Sequence, residues 1–199
     1  MARALAAIER NATIEAKLIK DLLEVAGMLS GKLRLKSQIV DLACLVRNVT
    51  ATFREMAESK HIRLLERLSH QVPSNVFADG DRLRQAIANL LENAIKFTPE
   101  GGQVTIQLDC LGSGVQIMVS DTGIGIRPDF LPHVFHRFTQ AEMPSRHTPG
   151  GVGIGLAIAR YLVELHHGTI QVASGGEGQG TTVIVKLPCN HPAQPNSDA

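Results

Sequence analysis

Apolar residues in the first 31 positions recur at alternating steps of three and four, interrupted only at Glu15. This is the heptad pattern of a helix that packs beside other helices in a bundle or coiled coil. The seam consists of Leu5, Ile8, Ala12, Ile19, Leu22, Ala26 and Leu29. Because one helix cannot bury such a seam alone, the pattern predicts a first domain, residues 1–31, that needs a partner helix.

After residue 31 the pattern changes to short alternating strands, glycine-containing turns and three amphipathic segments. Strands are predicted at 32–38, 61–68, 75–79, 103–109, 114–120, 168–174 and 180–188. Helices are predicted at 42–59, from Asp79 or Asp81 to about 97, and at 154–166. Asp41 is predicted to cap the first of them. The residues on the inner face of that helix are Leu42, Leu45, Val49, Phe53 and Met56. Hairpins combined with helices predict an α+β fold for residues 32–188: a two-layer sandwich whose mixed, mostly antiparallel sheet carries three helices on one face.

Composition and charge narrow the class of protein. The 199 residues carry 20 basic and 19 acidic side chains, a net charge of +1, which gives no electrostatic case for nucleic acid or a membrane surface. Three separated cysteines without a CxxC pair predict reduced thiols and a cytoplasmic location, and no stretch is apolar enough to span a bilayer. Residues 189–199 are polar and proline-containing, which predicts a disordered tail or linker.

The helix around "NLLENAIKFTP" carries an unusual polar face. Asn89, Asn93 and Lys96 fall together, opposite an apolar stripe. Positions i, i+4 and i+7 are stacked neighbours, so the two amides and the amine can converge on one object. A solvated outer face would give the same pattern, and the helix alone does not separate these two interpretations.

A first glycine cluster, "DTGIGI", stands at the end of a predicted strand. Gly123 and Gly125 permit a sharp turn and close approach to a ligand, and Asp121 could accept a hydrogen bond from an exocyclic amine such as that of adenine. The surroundings do not form the βαβ unit of a dinucleotide fold. An ordinary glycine-rich turn with a capping aspartate remains the alternative.

A second cluster, "PGGVGIGLAI", runs from Gly150 directly into a helix. A glycine-rich loop at a helix N-terminus presents backbone N–H groups and a positive dipole end to phosphates. It is not a Walker A motif, because no GK[ST] sequence follows.

Two further features border these clusters. Phe135 and Phe138 are predicted on a short helix between them, as anchors of a closing lid or as ordinary hydrophobic pins. Thr181 shares a strand face with Val183 and Val185, where its hydroxyl could help to read a base or could simply be satisfied by backbone.

Together the motifs resemble the conserved boxes of sensor histidine kinases. "NLLENAIKFTP" is similar to the N box, "DTGIGI" to the G1 box, "FHRF" to the F box, "GGVGIGL" to the G2 box and "GQGTT" to the G3 region, all in order within residues 32–188. The resemblance implies the GHKL superfamily fold, an α/β sandwich that binds ATP between helices and a lid and is shared with gyrase, MutL and a heat-shock chaperone.

The resemblance also implies roles for individual residues. Asn93, together with Asn89, would coordinate Mg²⁺, Lys96 would contact phosphate, and Asp121 would bind the adenine amine; the catalytic set would be Asn89, Asn93 and Lys96. The implied nucleotide contacts are Asn89, Asn93, Lys96, Phe97, Asp121, Gly123, Gly125, Ile126, Phe138, Gly151, Gly153, Ile154, Gly155, Leu156 and Thr181.

The implied activity is transfer of the γ-phosphoryl of Mg-ATP to a histidine, for relay to the receiver domain of a response regulator. The eight histidines lack the H-E/D-x-R-T/N-P context of the family's acceptor, and residues 1–31 resemble only the second helix of the dimerisation hairpin. We therefore expect a segment of a longer, homodimeric kinase, which could itself be membrane-anchored, and no autophosphorylation by this segment alone.

One departure from the wider superfamily bears on this expectation, and a second, at position 167, has no clear consequence. ATP-hydrolysing members of the superfamily carry a glutamate where this chain has Asn89, which favours transfer over hydrolysis. His167 replaces a glycine that is usual in the family. A non-catalytic nucleotide-binding regulatory module and a gyrase-type ATP hydrolase remain as alternatives.

Overall fold

The computed structural model describes residues 12, 15, 16, 19, 22–29, 33–69, 76–112, 114–139 and 152–189. The chain divides into two compact units, Met1–Arg34 and Leu35–Ala199. In the first unit, residues 22–29 are helical and are called α1 here. Val25 and Met28 are buried, whereas the seam residues Ile19, Leu22 and Leu29 are exposed. The predicted tail beyond Cys189 lies outside the described residues.

A five-stranded sheet forms the centre of the second unit. Its strands are β2 (Arg63–Leu68), β4 (Gln103–Leu111), β5 (Gly114–Asp121), β6 (Thr169–Ala173) and β7 (Thr181–Pro188). Their order is β2-β4-β5-β7-β6; β2 runs parallel to β4, and every other pair is antiparallel. A smaller antiparallel pair joins β1 (Gln38–Val40) to β3 (Val76–Ala78). The prediction of a mixed, mostly antiparallel sheet is confirmed.

One face of this sheet is covered by helices. Three helices pack there: α2 (Leu42–Thr52), α4 (Gly80–Phe97) and α5 (Gly155–Leu165). Alternate residues of the central strands supply the buried side of the sheet, as a period of two requires. They are Val104, Ile106, Leu108, Val115, Ile117, Val119, Val183, Val185 and Leu187. The α+β sandwich with helices on one face is therefore confirmed.

Aspartate caps start two of these helices. Asp41 accepts a hydrogen bond from the Cys44 N–H at 2.9 Å, as predicted for α2. Asp79, rather than Asp81, is the N-cap of α4 and accepts from the Arg82 N–H at 3.1 Å. Each carboxylate satisfies a first-turn N–H group that has no partner within its own helix.

The predicted continuous helix 42–59 is wrong. It breaks at Phe53, after which a short helix, α3 (Arg54–Ser59), begins. The hydroxyl of Thr52 bonds the Val49 carbonyl at 2.7 Å, and such local bonds compete with continuation of a helix. The break shifts the helical register, so Met56 is exposed instead of facing inwards, and Ala57 is buried in its place.

The predicted strand at 32–38 is also wrong. Residues 33–37 are irregular, and the strand β1 begins only at Gln38. Lys36 donates its backbone N–H to the Asp79 carboxylate at 2.8 Å, so this group is unavailable for strand pairing. The apolar and polar residues do alternate here, but the Lys36 N–H bonds the side chain of Asp79, forty-three positions away, instead of a neighbouring strand.

Candidate functional site

The polar face of α4 lies against the N-terminus of α5. Asn89 donates from Nδ2 to the Gly155 carbonyl at 3.1 Å. Asn93 Nδ2 lies 3.7 Å from the place that a Cβ on Gly155 would occupy. Asn89, Asn93 and Lys96 are all half-buried. This face is therefore partly covered by the first residue of α5 and partly accessible to solvent.

The groups on this face differ in their partners. Within the described residues, the Asn93 carboxamide makes no hydrogen bond. The Asn89 nitrogen is bonded to Gly155, and the Asn89 oxygen can still accept a hydrogen bond. The Lys96 ammonium lies 4.7 Å from the centre of the Phe97 ring, a cation–π contact. Two amide oxygens and one ammonium thus lie on one half-buried face of a single helix.

Asp121 stands at the end of β5, next to β7. Its Oδ1 accepts from the Gly123 N–H at 2.8 Å and from the Thr181 N–H at 3.1 Å. No donor from the described residues reaches Oδ2. Burial raises the pKa of Asp121 above its ordinary value, while the two N–H groups act in the opposite direction. One oxygen is therefore fixed by backbone, and the other keeps its capacity to accept a hydrogen bond.

The loop 121–126 is attached to the connection between β6 and β7, residues 174–180. The Gly178 N–H donates to the Ile124 carbonyl at 2.7 Å, and the Gly180 N–H donates to the Gly123 carbonyl at 3.1 Å. A Cβ on Gly125, which has a φ of +70°, would overlap the Gly176 carbonyl. Glycine at position 125 is thus required both by the backbone conformation and by the close contact.

Ser174 organises this contact, and the sequence analysis did not identify it. Its hydroxyl accepts from the Ile126 N–H at 3.0 Å and donates to the Gly180 carbonyl at 2.7 Å. The available sequence signal was a serine at the end of a strand, directly before a glycine-rich tip. Thr181, by contrast, contributes to the site through its backbone N–H to Asp121.

The N-terminus of α5 provides unpaired backbone donors. Ile154 is its N-cap. Among the described residues, no side chain caps the N–H groups of the first turn, which include those of Gly155 and Leu156. Gly153 precedes it with a φ of +72°, and its carbonyl accepts from the Phe138 N–H at 3.0 Å. The sequence-predicted Gly151 lies outside the described residues.

The predicted short helix carrying Phe135 and Phe138 is wrong. A single 3₁₀ turn, Leu131–His133, precedes them, and both phenylalanines lie in turns. Phe138 has a φ of +60°, a left-handed conformation that a helix cannot contain, and its side chain is exposed. The Phe135 ring contacts the Arg160 guanidinium at 5.7 Å.

Comparison with known proteins places this geometry in a family. Residues 78–191, more than half of the chain, match the family described as "Histidine kinase-, DNA gyrase B-, and HSP90-like ATPase". The chain belongs to this family. In the histidine-kinase type of this family, the matched region is the catalytic ATP-binding domain, so the resemblance deduced from the boxes is confirmed.

Curated relatives of this ATP-binding domain are longer proteins. The sensor histidine kinase TmoS of Ectopseudomonas mendocina is 37% identical over 188 residues, covering 93% of this chain and 19% of TmoS. The adaptive-response sensory kinase SasA of Synechococcus elongatus is 37% identical over 173 residues, covering 86% of this chain and 44% of SasA. The chain therefore spans less than half the length of either relative.

A solved structure supports the same assignment of the fold. The crystal structure of full-length ShkA in complex with AMPPNP matches with a TM-score of 0.82 and 30% identity, over 97% of this chain and 40% of ShkA. In the part of our chain that the structure describes, no helix combines the length and apolar composition needed to cross a bilayer.

The residues present fit a nucleotide that brings its own metal. No three His, Cys, Asp or Glu side chains among the described residues are grouped to hold a metal ion. Asn89 and Asn93 border Gly155 through their amide nitrogens, and their neutral amide oxygens are ligands that suit Mg²⁺ when phosphates supply the negative charge. The acceptor on Asp121 and the backbone donors of α5 suit, respectively, an amine and an anion.

Proposed function

We propose that this chain is the catalytic ATP-binding portion of a sensor histidine kinase, which transfers the γ-phosphoryl of Mg-ATP to a histidine on its dimerisation helices. A response regulator's receiver domain would then take the phosphoryl group. The observation that carries the proposal is the half-buried amide face of Asn89 and Asn93 against Gly155, combined with a half-buried Asp121 that keeps one oxygen as an acceptor.

Each group has a defined task in this proposal. Asp121 Oδ2 accepts a hydrogen bond from the adenine amine, since Oδ1 is already bonded twice. The first-turn N–H groups of α5 and the Lys96 ammonium hold phosphate oxygens, neutralising the charge that dominates phosphoryl transfer. Asn93, with Asn89, would hold Mg²⁺, which stabilises the charge on the transferred phosphoryl group. Gly123 and Gly125 let the loop carrying Asp121 turn closely around the base.

The chemistry of Asn89 favours transfer over hydrolysis. An amide cannot take a proton from water at neutral pH, and its nitrogen already donates to the Gly155 carbonyl. A water molecule at this face therefore lacks the general base that a glutamate would provide there. A protein histidine needs no such base, because a neutral imidazole is itself a nucleophile.

The test is incubation of the chain with γ-labelled Mg-ATP and a separate polypeptide that carries the dimerisation hairpin with its acceptor histidine. We expect label on the hairpin. Nucleotide binding without transfer would instead support a non-catalytic regulatory module, and release of free phosphate would support an ATP hydrolase.

Two substitutions connect this activity with the site. Asn93→Ala is expected to abolish Mg²⁺-dependent ATP binding, whereas Asn48→Ala, an exposed asparagine on α2, leaves it unchanged. Asp121→Asn is expected to weaken ATP about ten- to a hundredfold, the value of a hydrogen bond to a charged group, with Asp109→Asn on β4 as control. Calorimetric titration measures both. Wild-type affinity in Asn93→Ala would contradict the metal role, and wild-type affinity in Asp121→Asn would contradict the adenine role.

A further inference from the structure

Lys60, which is outside the sequence motifs, makes unusual contacts at the C-terminal end of α4. It is the C-cap residue of α3 and is half-buried. Its ammonium donates to the carbonyl oxygens of Ile95 at 2.6 Å, Thr98 at 2.8 Å and Lys96 at 3.0 Å. An ammonium has three protons, so all of its hydrogen-bonding capacity is directed at one helix end.

These contacts complete the hydrogen bonding of the last turn of α4. The last four carbonyl groups of a helix accept no hydrogen bond from an N–H group of the same helix. Here the Ala94 carbonyl accepts from Thr98, those of Ile95 and Lys96 accept from Lys60, and that of Phe97 accepts from the Ile124 N–H at 3.1 Å. The positive charge of Lys60 also complements the negative end of the helix dipole.

The same turn connects the two halves of the proposed nucleotide site. Lys96, the proposed phosphate contact, offers its carbonyl to Lys60. The next carbonyl, that of Phe97, bonds Ile124, which lies in the loop that carries Asp121. A Cβ on Gly123 would lie 2.6 Å from that same Phe97 carbonyl, so the loop and the helix end are in close contact. A shift of this turn must move both.

We propose that Lys60 is a positioning residue for nucleotide binding: by holding three carbonyls at the end of α4, it fixes Lys96 and the loop 121–126 in register with each other. This inference rests on the proposed function of the site and extends it to a residue that does not touch the nucleotide. Burial lowers the pKa of the Lys60 ammonium, which is consistent with a side chain that leaves water to make these bonds.

Three variants of the full chain test the inference. Lys60→Met keeps the aliphatic length and removes every donor. Lys60→Arg keeps the charge but spreads its donors over a planar fork, which cannot direct three bonds from one atom. Lys186→Met, an exposed lysine on β7 opposite Gln116 and Thr169, is the matched control. ATP affinity is measured by calorimetry at a temperature where all variants are folded, and hydrogen exchange of the Ile124 amide is measured by NMR without nucleotide.

We expect Lys60→Met to weaken ATP by roughly tenfold or more and Lys60→Arg by less, in that order, with Lys186→Met unchanged. Exchange of the Ile124 amide is expected to accelerate in the same order. A purely structural role would lower the melting temperature and leave both readouts at wild-type values, which would overturn the inference. If Lys60→Met does not fold, wild-type affinity and exchange in Lys60→Arg would overturn it equally.

The exchange measurement separates this inference from the proposed function. If the wild-type chain binds no nucleotide, the proposed function fails, whatever the state of Lys60. If the wild-type chain binds ATP while the Ile124 amide in Lys60→Met exchanges at the wild-type rate, only the positioning role of Lys60 fails.

Discussion

Gly180 lies where the connection between β6 and β7 contacts the loop that carries Asp121. Its N–H donates to the Gly123 carbonyl at 3.1 Å, and its φ is +68°. A Cβ added by Gly180→Ala would overlap the Asp121 carbonyl oxygen and would lie 3.0 Å from the carbonyl carbon. Real Cβ atoms do not come within 3.0 Å of other heavy atoms, so the Asp121 backbone or Gly180 itself must move by roughly 1 Å.

Gly178 supplies a matched control in the same connection. Its φ is +73°, its N–H also donates to the loop, at Ile124, and a Cβ there would meet nothing within 4 Å. Gly178→Ala therefore carries only the cost of a left-handed backbone, about 1 kcal/mol once the reduced entropy of the unfolded chain is counted. Gly180→Ala adds overpacking of about 1–3 kcal/mol, for a total of about 2–4 kcal/mol.

The displacement in Gly180→Ala acts on the Asp121 backbone, so it also acts on nucleotide binding. Loss of the proposed hydrogen bond between Asp121 and adenine corresponds to about 1.5–3 kcal/mol, or about ten- to a hundredfold in ATP affinity. Urea unfolding gives the stabilities, and calorimetric titration at a temperature where both variants are folded gives the affinities. Equal ATP affinity in Gly180→Ala and Gly178→Ala would refute the reasoning, even if both lost stability.

Two further predictions concern histidines near the end of α5. His167→Gly is expected to raise stability by up to about 1 kcal/mol, because His167 follows the helix at a φ of +59°, a position that glycine normally occupies; a lower midpoint in urea would contradict this. His166→Phe is expected to cost about 1–3 kcal/mol in the same assay, since the buried His166 Nε2 accepts from the Asp79 N–H at 3.0 Å and phenylalanine leaves that donor unpaired. Unchanged stability in this variant would contradict the second prediction.

Local signals were sufficient to predict much of the fold. The extent of α4 followed from its apolar stripe and an aspartate at its start, because both are properties of neighbouring residues. The hairpin of β4 and β5 followed from alternation on either side of a glycine turn at Gly112 and Gly114. Helix, hairpin and glycine loop are also the elements that present the proposed site residues, so the elements that carry the proposed site could be predicted from the sequence.

The shortened strand β1 and the residues that the sequence analysis missed share a physical origin in contacts between distant positions, whereas the break at Phe53 has a local cause. Strand β1 is shorter than predicted because the Lys36 N–H donates to the Asp79 carboxylate. The Lys60 ammonium bonds carbonyls at the end of α4 that are 35 to 38 positions away. Ser174 bonds Ile126 across 48 positions. No window of a single sequence contains both members of such pairs, so neither propensity nor periodicity could reveal them.

Two aspartates show what the structure adds to the reading of function. Asp79 and Asp121 each stand at the end of a strand, with a glycine one or two residues later, and this local pattern alone does not distinguish them. Burial tends to raise the pKa of both. In Asp79 the N–H groups of Lys36 and Arg82, with the Arg82 charge, outweigh burial, and the pKa is lowered. In Asp121 burial outweighs two N–H groups, and the pKa is raised.

The sign of each shift gives the consequence for stability. The lowered pKa of Asp79 means that its ionised form stabilises the fold above the ordinary aspartate pKa, and that this contribution is lost as the pH falls through the folded-state value. The raised pKa of Asp121 means the opposite: its contribution to stability is greatest below the ordinary aspartate pKa, and it is lost as the pH rises through the folded-state value. The Oδ1 atom of this half-buried carboxylate orders the Gly123 and Thr181 N–H groups, whereas Oδ2 has no donor among the described residues. An amine that donates a hydrogen bond to Asp121 Oδ2 would stabilise the ionised carboxylate. This is the role that we propose for the adenine amine.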